Sequence, residues 1–345
     1  MSKTNRVSLY FVASPLQYLA ARRIAEEFEG GARQVLVWYQ SGVTPVVKME
    51  QWDAAAYMPW PRHNPLPGTF GRHRRLRENI RLVADLVGKC EELHIHSAVF
   101  DTEAINYFLH ALPNACAAST MHARILPDGL ISIRRYPLSG IKVLLQYLRK
   151  LRRLVAPELN YWCFTGDRIG SDASFCDRIY VLPGLPHEYA SEKVVELPAL
   201  VERSKISENV GFERRALVIG QPLVGAGLMS EADRDVVTSE IHDWLVRQGF
   251  ARIDYKGHPK DPNRELCMPD YHVLEIQTPL EVYMAENTYE AVVGVRSSAL
   301  LFARQIYGAN TQVIAAGLDK VIFKSAEEKI DMITVFAKNK ILFVE

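Results

Sequence analysis

The chain lacks most of the features that would announce a specialised class. No two of its five cysteines form a CxxC pair, which counts against a disulfide framework or a zinc site. Cys90, Cys116, Cys163, Cys176 and Cys267 are scattered and odd in number, which suits a reducing, cytoplasmic setting. The formal net charge is only +1, so no global field draws the chain to nucleic acid or to a membrane. No apolar run approaches the roughly 20 residues of a spanning helix. The first such run, SLYFVA, is too short for a secretory signal. The glycine-containing loop VIGQPLVGAG (218–227) matches neither GxxxxGK[ST] nor GxGxxG. No internal repeat and no low-complexity segment stands out.

What remains is an ordinary globular composition, with 48% apolar and 23% charged residues. A chain of 345 residues is too long for one comfortable core, so two domains of about 150–200 residues each are expected. Strand-like runs alternate with helical patterns, which predicts an α/β protein with parallel sheets. The strands are RVSLYFVA (6–13), QVLVWY (34–39), ELHIHS (92–97), ARILP (123–127) and DRIYVLP (177–183). After the first comes SPLQYLAARRIAEEF, where Ser14 caps, Pro15 takes the first helical position and Gln17 completes a capping box. Helical spacing continues over 103–112 and 141–155.

Residues 184–213 mix proline, glycine and charge without a period. A second α/β unit follows. Its strands are RRALVIG (214–220), ARIDYKG (251–257), YHVLEI (271–276), EAVVGV (290–295) and TQVIAAG (311–317). Ser230 caps one helix, and Thr278, Pro279 and Glu281 form a second capped start. The domains are therefore drawn at 1–190 and 214–345, with a linker at 191–213. Two Rossmann-like halves whose parallel sheets face a central cleft are the layout of the GT-B glycosyltransferases.

In open α/β sheets, ligands bind beyond the carboxyl ends of strands. Five places lie there: Ser14-Pro15-Leu16-Gln17, Pro127-Asp128-Gly129, Gly220-Gln221-Pro222, Gly257-His258-Pro259 and Arg296-Ser297-Ser298. Asp101 stands at another strand exit. Pro259 restricts His258 to an extended pose, and with Lys256 and Lys260 nearby it can present an N–H to a phosphate; a surface turn histidine is the plainer alternative. Ser297 and Ser298 open a helix, which is an anion site or only an N-cap. The loop after Gly220 either lets backbone approach a nucleotide or is a long surface loop. Glu281 is a donor-side candidate or merely part of its capping box. Asp128-Gly129, taken alone, is turn chemistry.

The order of these motifs carries more than any one of them. Asp128-Gly129 in the first half, then His258-Pro259 and Ser297-Ser298 in the second, resembles the bacterial sialyltransferases, especially the polysialyltransferase-like and family 52 glycosyltransferases. SPLQ and IGQPL also look like that group. The resemblance implies an inverting, metal-independent enzyme. It would move sialic acid or another nonulosonic acid from a CMP-activated donor to a capsule, lipooligosaccharide or O-antigen glycan. It implies Asp128 as base and His258 with Ser297 and Ser298 at the departing phosphate. Gly220, Gln221, Pro222, Lys256, Gly257, Pro259, Glu281 and Arg296 would line the donor. Ser14, Pro15, Gln17, Asp101 and Gly129 would face the acceptor. No cofactor, metal or nucleic acid is expected. Pro127 stands where the family's first acid would be, and Leu223 where some relatives carry another. A GT-B enzyme for CMP-Kdo or a UDP-hexose, and a non-catalytic scaffold of an assembly complex, are the competing readings.

Two stretches of the chain are strongly basic. Residues 134–157 hold seven Lys and Arg and no acid, with Ile141, Leu144, Leu145, Leu148, Leu151 and Val155 at helical spacing. This is either a helix that contacts an anionic polymer or the inner membrane, or one with a solvated basic face. Residues 62–81 are basic after a proline-rich loop and are placed toward the cleft.

Overall fold

The computed structural model describes residues 5–128, 135, 137–201, 214–258, 261–276 and 278–344. It divides into two compact units, Met1–Leu200 and Val201–Glu345.

The first unit is built on seven parallel strands. They are β1 (Arg6–Val12), β2 (Arg33–Trp38), β3 (Ala54–Tyr57), β4 (Glu92–Ser97), β5 (Thr120–Ile125), β6 (Cys176–Val181) and β7 (Val194–Glu196). Their spatial order is β3-β2-β1-β4-β5-β6-β7. The direction of winding reverses between β1 and β4, which is where an open sheet parts at its carboxyl edge. Val7–Val12 are all buried, as a central parallel strand covered on both faces requires. The helices are α1 (Pro15–Glu27), α2 (Gly71–Val87), α3 (Glu103–Asn106), α4 (Phe108–Cys116) and α5 (Gly140–Lys150). The basic stretch at 62–81 runs into α2, whose Leu76, Ile80, Val83 and Val87 are buried beneath the charge.

The second unit has six parallel strands: β8 (Arg215–Ile219), β9 (Arg252–Lys256), β10 (His272–Val273), β11 (Ala291–Gly294), β12 (Gln312–Ala316) and β13 (Leu342–Val344). The order β10-β9-β8-β11-β12-β13 places the reversal between β8 and β11. The helices are α6 (Glu231–Arg247), α7 (Leu280–Glu286), α8 (Ala299–Tyr307) and α9 (Ala326–Lys338). Ser230 accepts the Asp233 N–H and caps α6.

Several local expectations change. The YHVLEI strand shrinks to the two residues of β10, which pair only with Asp254 and Tyr255 at the sheet edge. Thr278 does not cap α7: the cap position is Pro279, with no side-chain bond, because the helix starts one residue later than the capping box needs. Within the segment read as a linker, Val194–Glu196 pairs with Ile179–Val181 of β6. Neither β3 nor β7, α9 or β13 is apparent from the sequence pattern. Among the described residues, no helix is long and apolar enough to cross a membrane.

Candidate active site

All five motif positions follow directly on strand ends. In the first unit they converge on Asp128. Gln17 sits in the first turn of α1, after β1, where the Ser14 hydroxyl accepts its N–H. Its side chain does not close the capping box on Ser14. Instead Oε1 accepts the Ala13 N–H at 2.7 Å, and Nε2 donates to Asp128 Oδ1 at 2.9 Å. The Ala13 N–H can only donate, so the amide orientation is fixed and the NH₂ group must face the carboxylate. Burial pushes the Asp128 carboxyl above its ordinary range, and the Gln17 bond opposes this. A raised carboxyl pKa is what a proton-accepting role near neutrality would require. Tyr39, at the β2 exit, has its hydroxyl pushed up by burial and by the charge of Asp128. It stacks on Trp60 with ring centres 4.5 Å apart. In the sequence, Tyr39 is marked only by its place at the end of an apolar strand run.

Asp101 has its own set of hydrogen-bond partners. It is buried, and Oδ1 accepts from the Tyr161 hydroxyl at 2.9 Å and from Gln146 Nε2 at 3.3 Å. Burial raises its pKa while Tyr161, Arg149 and Arg168 oppose the rise. With Trp60, Arg62, Arg72, Arg149 and Arg168 it lines a cavity of about 290 Å³. Gly129 lies outside the described residues, as does Pro259.

In the second unit β9, β8 and β11 are neighbours, so Lys256-Gly257-His258, Gly220-Gln221-Pro222 and Arg296-Ser297-Ser298 leave adjacent strands side by side. Two contacts tie them. The Gly220 N–H donates to the Lys256 carbonyl at 2.9 Å, and the Arg296 N–H donates to Gln221 Oε1 at 2.8 Å. Gly220 is required by packing: a Cβ there would stand 2.2 Å from the Tyr255 hydroxyl oxygen. Burial lowers the Lys256 pKa, with Glu275 opposing. His258 is exposed, and its carbonyl accepts the Asp261 N–H at 2.9 Å.

Ser297 Oγ accepts the Ala299 N–H at 3.2 Å. Ser298 occupies the cap position of α8 with no side-chain capping bond. The Arg296 side chain is committed elsewhere, to Glu328 at 3.0 Å and over the Phe323 ring. Glu281 is in the first turn of α7 and half-buried, with burial raising its pKa.

The glycine-containing loop is not an open phosphate cradle. The N–H groups of Val224 and Gly225 donate to the Glu265 carboxylate at 2.7 and 3.0 Å. Those of Leu223, Ala226, Gly227 and Leu228 donate to carbonyls of the same loop. Every amide from Leu223 to Leu228 is therefore spent inside the protein. Among the described residues, no group of three or more His, Cys, Asp or Glu side chains could hold a metal ion.

Residues 184–316 match the family model described as Alpha-2,8-polysialyltransferase (POLYST). The matched segment contains the exits of β8, β9 and β11, and excludes Asp128. That part of the chain is similar to the polysialyltransferases. Solved structures resemble it in fold. The glycotransferase of kitacinnamycin is 9% identical, with 99% of this chain and 86% of that chain covered at a TM-score of 0.53. Spinosyn rhamnosyltransferase SpnG, complexed with thymidine diphosphate, is 13% identical, with 98% and 86% covered at 0.50. Arabidopsis thaliana UGT89C1, complexed with UDP-L-rhamnose, is 8% identical, with 99% and 85% covered at 0.50. No curated protein matches the sequence. The fold is GT-B, with each unit built on a parallel α/β sheet.

Proposed function

We propose that the enzyme transfers sialic acid or a related nonulosonic acid from a CMP-activated donor to a bacterial surface glycan or glycolipid, with inversion and without a metal. The observation that carries this reading is the side-by-side exit of Gly220, His258 and Ser297 within the segment that matches the polysialyltransferase model. Asp128 takes the proton of the acceptor hydroxyl, whose oxygen attacks the anomeric carbon. The bond from that carbon to the phosphate oxygen breaks, and CMP leaves with the electron pair. A carboxylate suits the first task. His258 and the hydroxyls at the start of α8 suit the second, since helix N-termini and hydrogen-bond donors stabilise developing phosphate charge. Gln17 orients the base, and Lys256 adds positive charge beside His258. The enzyme works in the cytoplasm, in peripheral contact with the inner membrane.

Thermal shift with CMP, UDP and GDP tests the donor, and acceptor-dependent release of CMP tests the reaction. CMP is expected to stabilise the protein most. Preferential stabilisation by UDP would instead favour a UDP-hexose transferase and overturn the reading.

A further inference from the structure

Helix α5 is built inside out. Its polar side chains point into the first unit. Gln146 is 1% exposed, and both ends of its amide are used: Nε2 donates to Asp101, and Oε1 accepts the Phe164 N–H at 2.7 Å. One turn on, Arg149 donates to the Tyr161 hydroxyl at 3.2 Å. Arg152, in the short 3₁₀ turn Leu151–Leu154 that continues the helix, binds Glu103 and the Tyr107 hydroxyl. These bonds pin the rotation of the helix about its axis.

The apolar stripe consequently faces outward. Between Ile141 and Val155, eight large apolar side chains are exposed, from 42% at Leu145 to 92% at Val155. Ile141, Leu144, Leu145, Leu148 and Leu151 form one continuous face by helical spacing. A patch of this kind marks an interaction surface. Around it stand Lys142, Lys150 and Arg153, and no acid occurs from 134 to 157.

We infer that this face of α5 inserts into the headgroup and acyl boundary of an anionic bilayer. An apolar stripe with basic flanks and no acid is the composition that lies in such an interface. Charge decides against a second copy as occupant. A two-fold contact through this face would set the same basic residues against each other. An anionic lipid surface neutralises them instead. Because Arg149 lines the Asp101 cavity and Gln146 is bonded to Asp101, lipid insertion would hold that cavity at the membrane surface, where a lipid-borne glycan acceptor is presented. That last step rests on the proposed transferase function; the insertion itself does not.

The test is co-sedimentation of the full chain with vesicles of equal parts phosphatidylglycerol and phosphatidylcholine, without donor or acceptor. Wild-type protein is expected to sediment with these vesicles and far less with pure phosphatidylcholine. The triple change Leu144→Gln, Leu148→Gln and Leu151→Gln should lower partitioning by about tenfold or more, with the unfolding midpoint unchanged because all three side chains are exposed. Wild-type protein that stays in the supernatant overturns the inference. So does a wild-type dimer that the triple change converts to monomer, since a second copy then covers the face. An unfolded triple variant would be replaced by Lys150→Glu with Arg153→Glu, whose undiminished binding to anionic vesicles would likewise overturn it. Failure of CMP binding or transfer leaves these outcomes unaffected.

Discussion

Gln17 and Asp128 lie 111 residues apart and share one hydrogen bond of 2.9 Å, while the other end of the same amide is held by the Ala13 N–H. The strand-1 exit thereby orients the carboxylate at the strand-5 exit. Replacing Asp128 with Asn keeps the shape and removes the proton acceptor. Turnover is expected to fall by about 10²–10⁴-fold, with CMP binding unchanged in a calorimetric titration. Full activity in Asp128→Asn would remove it as base.

Gln17→Ala separates orientation from chemistry. The lost bond stabilises the charged carboxylate, so its removal raises the Asp128 pKa further. The acid limb of the kcat profile should move to higher pH, and the alkaline plateau should fall less than it does in Asp128→Asn. A limb that stays in place would make Gln17 a purely structural residue.

His258→Ala and Ser298→Ala address the leaving phosphate. A donor that matters only as charge develops lowers kcat more than ground-state binding. Each change is expected to reduce kcat by about tenfold or more with a smaller effect on the CMP dissociation constant. An unchanged rate for His258→Ala would take it out of the mechanism.

Acid sensitivity should come from the first unit's core. His96 is fully buried, stacked on Tyr10 at 4.4 Å, and burial pushes its pKa from 6.5 down to about 3. Glu29 is also buried; burial would raise its carboxyl, but the His94 hydrogen bond and the nearby Arg124 charge hold it at about 2, against an ordinary 4.5. Both folded values lie below the unfolded ones, so the unfolded chain binds protons first as pH falls. Stability is complete above pH 6.5 and declines below it. The His96 contribution is lost down to about 3 and that of Glu29 between 4.5 and about 2. Urea denaturation across this range should show the decline, and His96→Phe should flatten its upper part. A flat wild-type profile between pH 6.5 and 4.5 would contradict this account.

Gly220→Ala tests the packing at the β8 exit. The added methyl group meets the hydroxyl of Tyr255, which is fully buried. Overpacking of this kind costs about 1–3 kcal/mol, read as a lower unfolding midpoint. An unchanged midpoint would show that Tyr255 can yield.

The strands that carry the site were legible because parallel strands buried on both faces read as apolar runs, as RVSLYFV and RALVI do. Ala54–Tyr57 did not, since alanine has little strand preference and β3 forms through its pairing with β2. The apolar stripe of α2 was hidden by its many arginines. Helix α5 had the right period, but period cannot tell which face turns inward. Asp101, Glu103 and Tyr161 decide that, by offering partners to Gln146, Arg149 and Arg152. The role of Gln17 was half visible: its local capping position was readable, and its distant carboxylate was not.

The spent amides between Leu223 and Leu228 have a consequence for donor choice. A pyrophosphate link asks for two sets of hydrogen-bond donors, and the turn that would supply backbone donors at β8 has Glu265 already seated on it. Glu265 is buried, and its carboxylate holds the N–H groups of Val224 and Gly225. A phosphate bound beside β8 must therefore draw its hydrogen-bond donors from groups outside this turn. A donor carried on one phosphate, as the proposed CMP-sugar is, would ask less of that turn than a diphosphate would.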